Sequence, residues 1–276
     1  MGDRYLTELA DVLRDTGRLE VIEVDGWEFR GRSSGGFDGD RPWAAVWHHT
    51  ASDTLPENDV GYIVYGCPDA PVANLYLDRD GRVWVCAGGA TNTNGKGGPA
   101  AVSLGTIPVD QANTHVVGIE AANNGVGQAW PAVQIDSYFT INNALANFYG
   151  WLPADCLTHH EWTPGRKIDP ATAGAVEGPW RPGSLNTSGT WSMVDIRAEA
   201  NRRASTPPPI EEDAMYLATL SNGDVVVVGS AVRPVSGDEI GPGGPFASLP
   251  RFTPADGSNW HAWLRAGCDE YTDRVM

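Results

Sequence analysis

Positive charge is scarce in this chain. Its 19 lysines and arginines face 35 aspartates and glutamates, for a formal net charge of −16. Affinity for a phosphate backbone draws on clustered Lys and Arg, so nucleic acid is set aside as a partner. Cysteine is scarcer still: Cys67, Cys86, Cys156 and Cys268 are spread too thinly along 276 residues to form a disulfide framework, and they read as buried thiols. No apolar run approaches the length of a membrane span, which predicts no membrane insertion. The opening residues, Met1-Gly2-Asp3-Arg4-Tyr5-Leu6-Thr7-Glu8, carry acids where a secretory signal needs a basic start and an apolar stretch, so no signal peptide is expected. Histidine is also rare, with six in all, which narrows any search for metal ligands. The remaining composition, 41% hydrophobic and 20% charged, is that of a globular chain with room for one substantial core and a smaller second unit.

Periodicity supplies the elements. Tyr5, Leu6, Leu9, Val12 and Leu13 recur at helical spacing before Gly17, which predicts a short amphipathic helix that caps the domain. Glu20 to Val24 reads as a short strand, and the apolar run Trp43-Ala44-Ala45-Val46-Trp47 as a buried one ending at His48-His49. Asn58 to Tyr65 is read as a short helix, although its β-branched content leaves this open. Asn74 to Val85 reads as two strands joined at Asp80-Gly81, a pair suited to the positive dihedrals of a hairpin turn. The stretch Gly88 to Gly98 is too long by one residue for a phosphate-binding loop and has no Ser or Thr after Lys96, so it reads as a flexible rim loop. His115 to Ala121 is a second buried strand. A helical stripe, Ile135, Tyr138, Phe139, Leu145, Phe148, Tyr149 and Leu152, is interrupted by Asn142 and ends at Pro153. A further helix spans about Met193 to Arg203.

The chain then changes character. Pro207-Pro208-Pro209-Ile210-Glu211-Glu212-Asp213 is a stiff, then acidic, join of the kind that separates domains. We therefore expect a domain over 1–206, a linker over 207–213 and a small β-rich module over 214–276, beginning with a hairpin around Ser221-Asn222-Gly223. Trp260, Trp263 and Tyr271 either stack on sugar rings or form that module's small core.

Chemistry concentrates in His159-His160-Glu161-Trp162-Thr163-Pro164-Gly165-Arg166-Lys167-Ile168-Asp169-Pro170. Its prolines and glycine argue against a continuous helix, so the chain turns back and can bring His159 and Asp169 to one point. A catalytic zinc site usually takes three protein ligands and leaves a position to water, so a third ligand must come from elsewhere. The pair His48-His49 is the natural donor. Successive side chains on a strand point to opposite faces, so only one of the two can reach the metal, and alternation alone does not say which. Cys156 and His159 make a CxxH pair, which lacks the partners of a structural zinc site. His115 and His261 have no nameable partner and default to structural roles.

Val46-Trp47-His48-His49-Thr50, Val117-Gly118-Ile119-Glu120 and the loop from His159 to Pro170 together resemble the zinc-dependent type-2 N-acetylmuramoyl-L-alanine amidases, which include phage endolysins and share their fold with peptidoglycan recognition proteins. The resemblance covers about residues 40–205. It implies an α/β fold, a mixed central β-sheet flanked by helices, with Zn2+ at one end of the sheet held by His48, His159 and Asp169. It also implies catalytic roles for Glu120, as the carboxylate that takes a proton from water, and for Lys167, two positions before the last ligand. Many relatives have cysteine as the third ligand and others aspartate; this chain has the aspartate form. Ala73 stands where some relatives have a tyrosine, which shifts the proton-transfer role onto Glu120. Alternation places Glu120 on the face of Gly118, a residue small enough to leave space in front of the acid. His160 and Asn74 are taken as substrate contacts.

The activity so implied is hydrolysis of the amide between N-acetylmuramic acid and L-alanine in peptidoglycan. The alternatives are a peptidoglycan recognition protein that does not cut, or another zinc-dependent peptidase. The acidic net charge offers no pull toward anionic walls, so affinity must come from shape and hydrogen bonds. Without a signal peptide, the expected setting is that of a phage lysin, made in the host cytoplasm and released to the wall through a separate pore.

Overall fold

The computed structural model describes residues 2–66, 71–172, 174–182 and 189–205, together with strands at 216–219, 225–228, 232–234 and 251–252. The linker 207–213, Cys67, Cys268, Trp260, Trp263, Tyr271 and the turn at Ser221-Asn222-Gly223 lie outside the described residues. The chain divides into two compact units, Met1–Asn201 and Arg202–Met276.

The first unit is built on six strands: β1 (Val21–Glu23), β2 (Ala44–His49), β3 (Leu75–Leu77), β4 (Val83–Val85), β7 (Val116–Ala121) and β8 (Leu157–Thr158), in the spatial order β1-β4-β3-β7-β2-β8. The β3–β4 pair is antiparallel and the other neighbours run parallel, so the sheet is mixed. Helices α1 (Leu9–Arg14), α2 (Pro56–Tyr65), α3 (Ala132–Tyr149), α4 (His159–Trp162) and α5 (Met193–Ser205) complete it, with a two-stranded ribbon of β5 (Ala100–Val102) and β6 (Gly105–Ile107). Among the described residues no helix is long and apolar enough to cross a membrane.

Strand alternation assigns each sheet face its own core. Ala45, Trp47, Val117, Ile119, Leu75 and Leu77 point one way and pack on Tyr138, Phe139 and Leu145 of α3, with Leu9 and Leu13 of α1 behind. Trp47 stacks on Tyr138 at 3.9 Å between centroids. Burying side chains of this size contributes roughly 1.5–3 kcal/mol each, which makes this face the main adhesive of the domain. On the other face Ala44, Val46 and Val116 meet Trp162 and Leu157, while Val60, Ile63 and Val64 of α2 cover Ala73, Tyr76 and Cys86.

Several expectations need adjusting. Helix α3 stops at Gly150, whose φ of 75° suits glycine, rather than running to Pro153; Phe148 and Leu152 are exposed, and Ile141 joins the buried stripe. The β3–β4 turn takes a positive φ at Gly81 alone. Asp78, fully buried, organises that turn by accepting from the N–H groups of Asp80 and Arg82, the Arg82 guanidinium and the Trp84 indole. Cys86 and Cys156 are free and buried, and burial pushes each thiol up to about 12, as expected of inert core residues.

In the second unit β9 (Tyr216–Thr219), β10 (Val225–Val228), β11 (Val232–Pro234) and β12 (Arg251–Phe252) form one sheet in the order β11-β10-β9-β12. The β9–β10 pairing is antiparallel, while β12 runs parallel to β9.

Candidate metal centre

The centre forms at the carboxyl ends of three adjacent parallel strands, where open α/β sheets offer a crevice to ligands. In register, His48 of β2 lies beside Glu120 of β7, and Glu120 beside Tyr76 of β3, all on the face turned away from α3. Tyr138 supports this row from the opposite side. Its buried hydroxyl accepts the His48 backbone N–H at 2.8 Å and lies within 3.0 Å of the His48 and Ile119 carbonyl oxygens, either of which can accept its proton.

The loop from 159 to 170 closes over the row much as its composition predicts. It starts with the single helical turn α4, and the His160 N–H returns to the Asp169 carbonyl at 3.1 Å. His159 and Asp169 thereby meet His48. The His48 Nδ1 to His159 Nδ1 distance is 2.9 Å, His48 Nδ1 to Asp169 Oδ2 is 3.1 Å and His159 Nδ1 to Asp169 Oδ2 is 2.9 Å. All three residues are buried, and they are the one group of potential ligands that converges among the described residues. Three such atoms at mutual hydrogen-bond distance cannot all be satisfied by protons, whereas one small cation bound on the triangle satisfies them together.

Electrostatics points the same way. Burial, then the neighbouring His159, lowers the His48 imidazole to about 4, so it is neutral near pH 7. Burial pushes the Asp169 carboxyl up, but the His159 and His48 imidazoles beside it outweigh burial and hold the group well below the usual carboxylate range. A neutral imidazole and an ionised carboxylate are the ligating forms.

His49 belongs to the opposite face. Its Nδ1 accepts the Ala171 N–H at 3.1 Å, and its ring fills the space beside Gly125, where an added methyl would meet it at 2.5 Å. His160 is half-buried, and both ring nitrogens are engaged, Nδ1 at 3.3 Å from the Asp169 carbonyl and Nε2 at 3.3 Å from Thr158 Oγ1. It braces the loop. Lys167 is exposed, and its charge acts on Glu120 and His49.

Glu120 reaches the centre by a different route from the one expected. The space before Gly118 is taken by Thr93, whose side chain lies 2.2 Å from where a methyl would stand. The acid is instead half-buried in its strand row, and its Oε2 is buried with no hydrogen-bond partner among the described residues. Burial, then the Asp169 charge, raises its carboxyl to about 8 against the pull of Lys167. Such a shift beside a candidate metal site marks a group fit for proton transfer.

Asn74 is a correction. It is fully buried, its Nδ2 donates to the Ala87 and Gly89 carbonyls, and its Oδ1 accepts from the Gly118 N–H and the Thr91 hydroxyl. No part of its amide is left for a substrate. We expect Asn74→Ala to lower stability by about 3 kcal/mol, since each buried group left unpaired costs about 1–3 kcal/mol. Urea unfolding checks this; an unchanged midpoint with a raised KM would restore the substrate role.

The stretch Gly88 to Gly98, expected to be a flexible rim, is a packed wall of the centre. Thr91, Thr93 and Asn94 are buried, the Gly98 N–H donates to the Trp162 carbonyl at 2.8 Å, and the Trp162 indole donates to the Gly95 carbonyl at 3.3 Å.

The fold and this centre define an α/β domain with a candidate three-ligand metal site at the end of a mixed sheet. Residues 38–172, a stretch that holds β2, β3, β7, β8 and all three candidate ligands, match the family described as N-acetylmuramoyl-L-alanine amidase. Among solved structures the chain is similar to the N-acetylmuramoyl-L-alanine amidase LysC from Clostridium intestinale URNW, at 15% identity and a TM-score of 0.41 over 66% of this chain and 97% of that one. It is similar to a selenomethionine derivative of AmpD at 18% identity and a TM-score of 0.43, over 65% and 93% of the two chains. The amidase AmiD from E. coli, solved with anhydro-N-acetylmuramic acid-L-Ala-D-gamma-Glu-L-Lys, is similar at 17% identity and a TM-score of 0.39, over 54% and 60%. No curated protein sequence matches the chain.

Proposed function

We propose that the protein is a zinc-dependent N-acetylmuramoyl-L-alanine amidase that cleaves the amide between the lactyl group of N-acetylmuramic acid and L-alanine in peptidoglycan, acting in wall lysis as an endolysin does. The observation that carries this reading is the convergence of His48, His159 and Asp169 within 3.1 Å, with Glu120 in register beside His48.

Zinc is the metal that suits this donor set, two imidazole nitrogens and one carboxylate oxygen. When bound, it supplies Lewis acidity and a water activated at neutral pH. In its ionised form Glu120 accepts a proton as water oxygen attacks the carbonyl carbon, and it returns that proton to the alanine nitrogen as the C–N bond breaks. The products are a muramoyl carboxylate and a free alanine amine. The Lys167 ammonium, on the exposed side of the loop, steadies the negative charge that grows on the carbonyl oxygen. His160 and His49 hold the 159–171 loop and do not touch the reacting atoms. Residues 1–206 form the catalytic domain in this reading, and 214–276 a separate module joined by the 207–213 linker.

Peptidoglycan digested with the protein and analysed by mass spectrometry is expected to release stem peptides carrying a free alanine amine. Cleavage between sugars, or within the stem, would overturn the reading. A protein that binds wall fragments but holds no zinc would be a recognition protein instead.

A further inference from the structure

The two candidate imidazole ligands are linked through a residue from a distant part of the chain. His48 Nε2 lies 3.3 Å from the side-chain oxygen of Asn94, and His159 Nε2 lies 3.2 Å from the main-chain oxygen of the same residue. Asn94 is buried, its own N–H donates to Asn113 Oδ1 at 2.8 Å, and its Nδ2 is buried with no partner among the described residues. An oxygen of either kind only accepts from a ring nitrogen, so the pairing to Asn94 is made when Nε2 carries the proton, the tautomer that a metal on the Nδ1 side requires. In a neutral imidazole that leaves the lone pair on Nδ1, the atom that faces Asp169 in both rings.

We infer that Asn94 is a positioning residue that selects the metal-binding tautomer of both histidines, His48 through its side chain and His159 through its backbone. The inference rests on the metal-site reading above and assigns to it a residue outside the ligand set. Its physical basis is competition. Without a fixed partner at Nε2, the His48 ring can place its proton on Nδ1 and donate it to Asp169 Oδ2, 3.1 Å away. That closes the nitrogen to a metal and occupies the third ligand. The Asn94 side-chain oxygen competes with this alternative for the proton, as outer-shell acceptors do for metal-bound histidines generally. The unpartnered Nδ2 adds a second point: it is an orphaned buried donor whose removal costs no hydrogen bond, so the amide is held there for its oxygen.

The dual contact makes the test specific. Asn94→Leu removes the acceptor for His48 but keeps the main-chain acceptor for His159. In the full chain stripped of metal by a chelator, nitrogen-15 NMR of the imidazoles at neutral pH is expected to show both rings protonated on Nε2 in the parent. In Asn94→Leu the His48 ring alone should shift toward the Nδ1–H form. Zinc titrated against a competing chelator should bind about 10- to 100-fold more weakly to this variant. Asn94→Asp, which keeps an oxygen in place, should restore the His48 tautomer and most of the zinc affinity. If Asn94→Leu does not fold, Asn94→Ala removes the same acceptor without adding bulk and takes its place. An unchanged His48 tautomer with unchanged zinc affinity overturns the assignment of Asn94 alone. Equal shifts at His48 and His159 overturn it too, because they would report a displaced loop. A parent chain that binds no zinc sinks the metal-site reading, and this inference with it.

Discussion

Asp169→Asn is expected to strip the protein of its metal and of its lytic activity while leaving the fold in place. The substitution keeps the volume of a buried side chain but replaces an ionised oxygen, 2.9 Å and 3.1 Å from the two imidazole nitrogens, with a neutral amide. Two imidazoles alone are too few to hold a catalytic zinc, which usually takes three protein ligands. The fall in zinc affinity should therefore exceed the ~10–100-fold that follows loss of an outer-shell partner. Elemental analysis after dialysis, together with the rate of turbidity loss of a wall suspension, measures both effects. Full zinc occupancy with undiminished lysis in this variant would remove Asp169 from the ligand set.

Glu120→Gln should separate chemistry from metal binding. We expect zinc to remain bound while kcat falls by roughly 10²–10⁴, the range for loss of a positioned acid–base group. The same variant should be more stable than its parent in the metal-free form at alkaline pH. In the unfolded chain this carboxyl ionises near pH 4.3, a typical glutamate value of about that size. In the folded protein burial holds it protonated up to about 8. Across that window the folded state keeps a proton that the unfolded chain has lost, so the parent's stability declines as pH rises and levels off above about pH 8. Glutamine pays no such penalty, and the advantage at pH 8 should be of the order of a few kcal/mol. Denaturant unfolding at pH 5 and pH 8 reads this out. Equal stability of parent and variant at both pH values would mean that Glu120 is solvated, and a variant with full turnover would show that another group moves the proton.

A trade of this kind, activity gained at the expense of stability, is what a half-buried acid with one buried oxygen unpartnered among the described residues would represent. Tyr76 and His48 flank it in the sheet, and the α3 face packs beneath.

What could be read without coordinates differs from residue to residue. Pro164, Gly165 and Pro170 made the closed loop around His159 and Asp169 legible, because these residue types constrain the backbone locally. Asn94 was invisible: it sits in a run of Gly, Asn and Thr with no hydrophobic period to say which residue points inward. Asn74 is expected to touch substrate, yet its amide is consumed by groups on other parts of the chain, Ala87, Gly89, Thr91 and Gly118. Thr93 could not have been placed before Gly118 from local pattern either.

The amino-acid order by itself determined the strands and their alternating faces, the turning loop, the family resemblance and, through it, the candidate ligands. All of these are carried by neighbouring residues or by short motifs. Only the tertiary structure decided that His48 meets His159 and Asp169 on one sheet face while His49 turns to the other, that Glu120 stands in one row with His48 and Tyr76, and that Asn94 lies behind both imidazoles. Those relations join residues 44 to 121 positions apart. Parallel pairing and the choice of covered face bring them together, and backbone propensity, which acts over a few residues, carries no information about either.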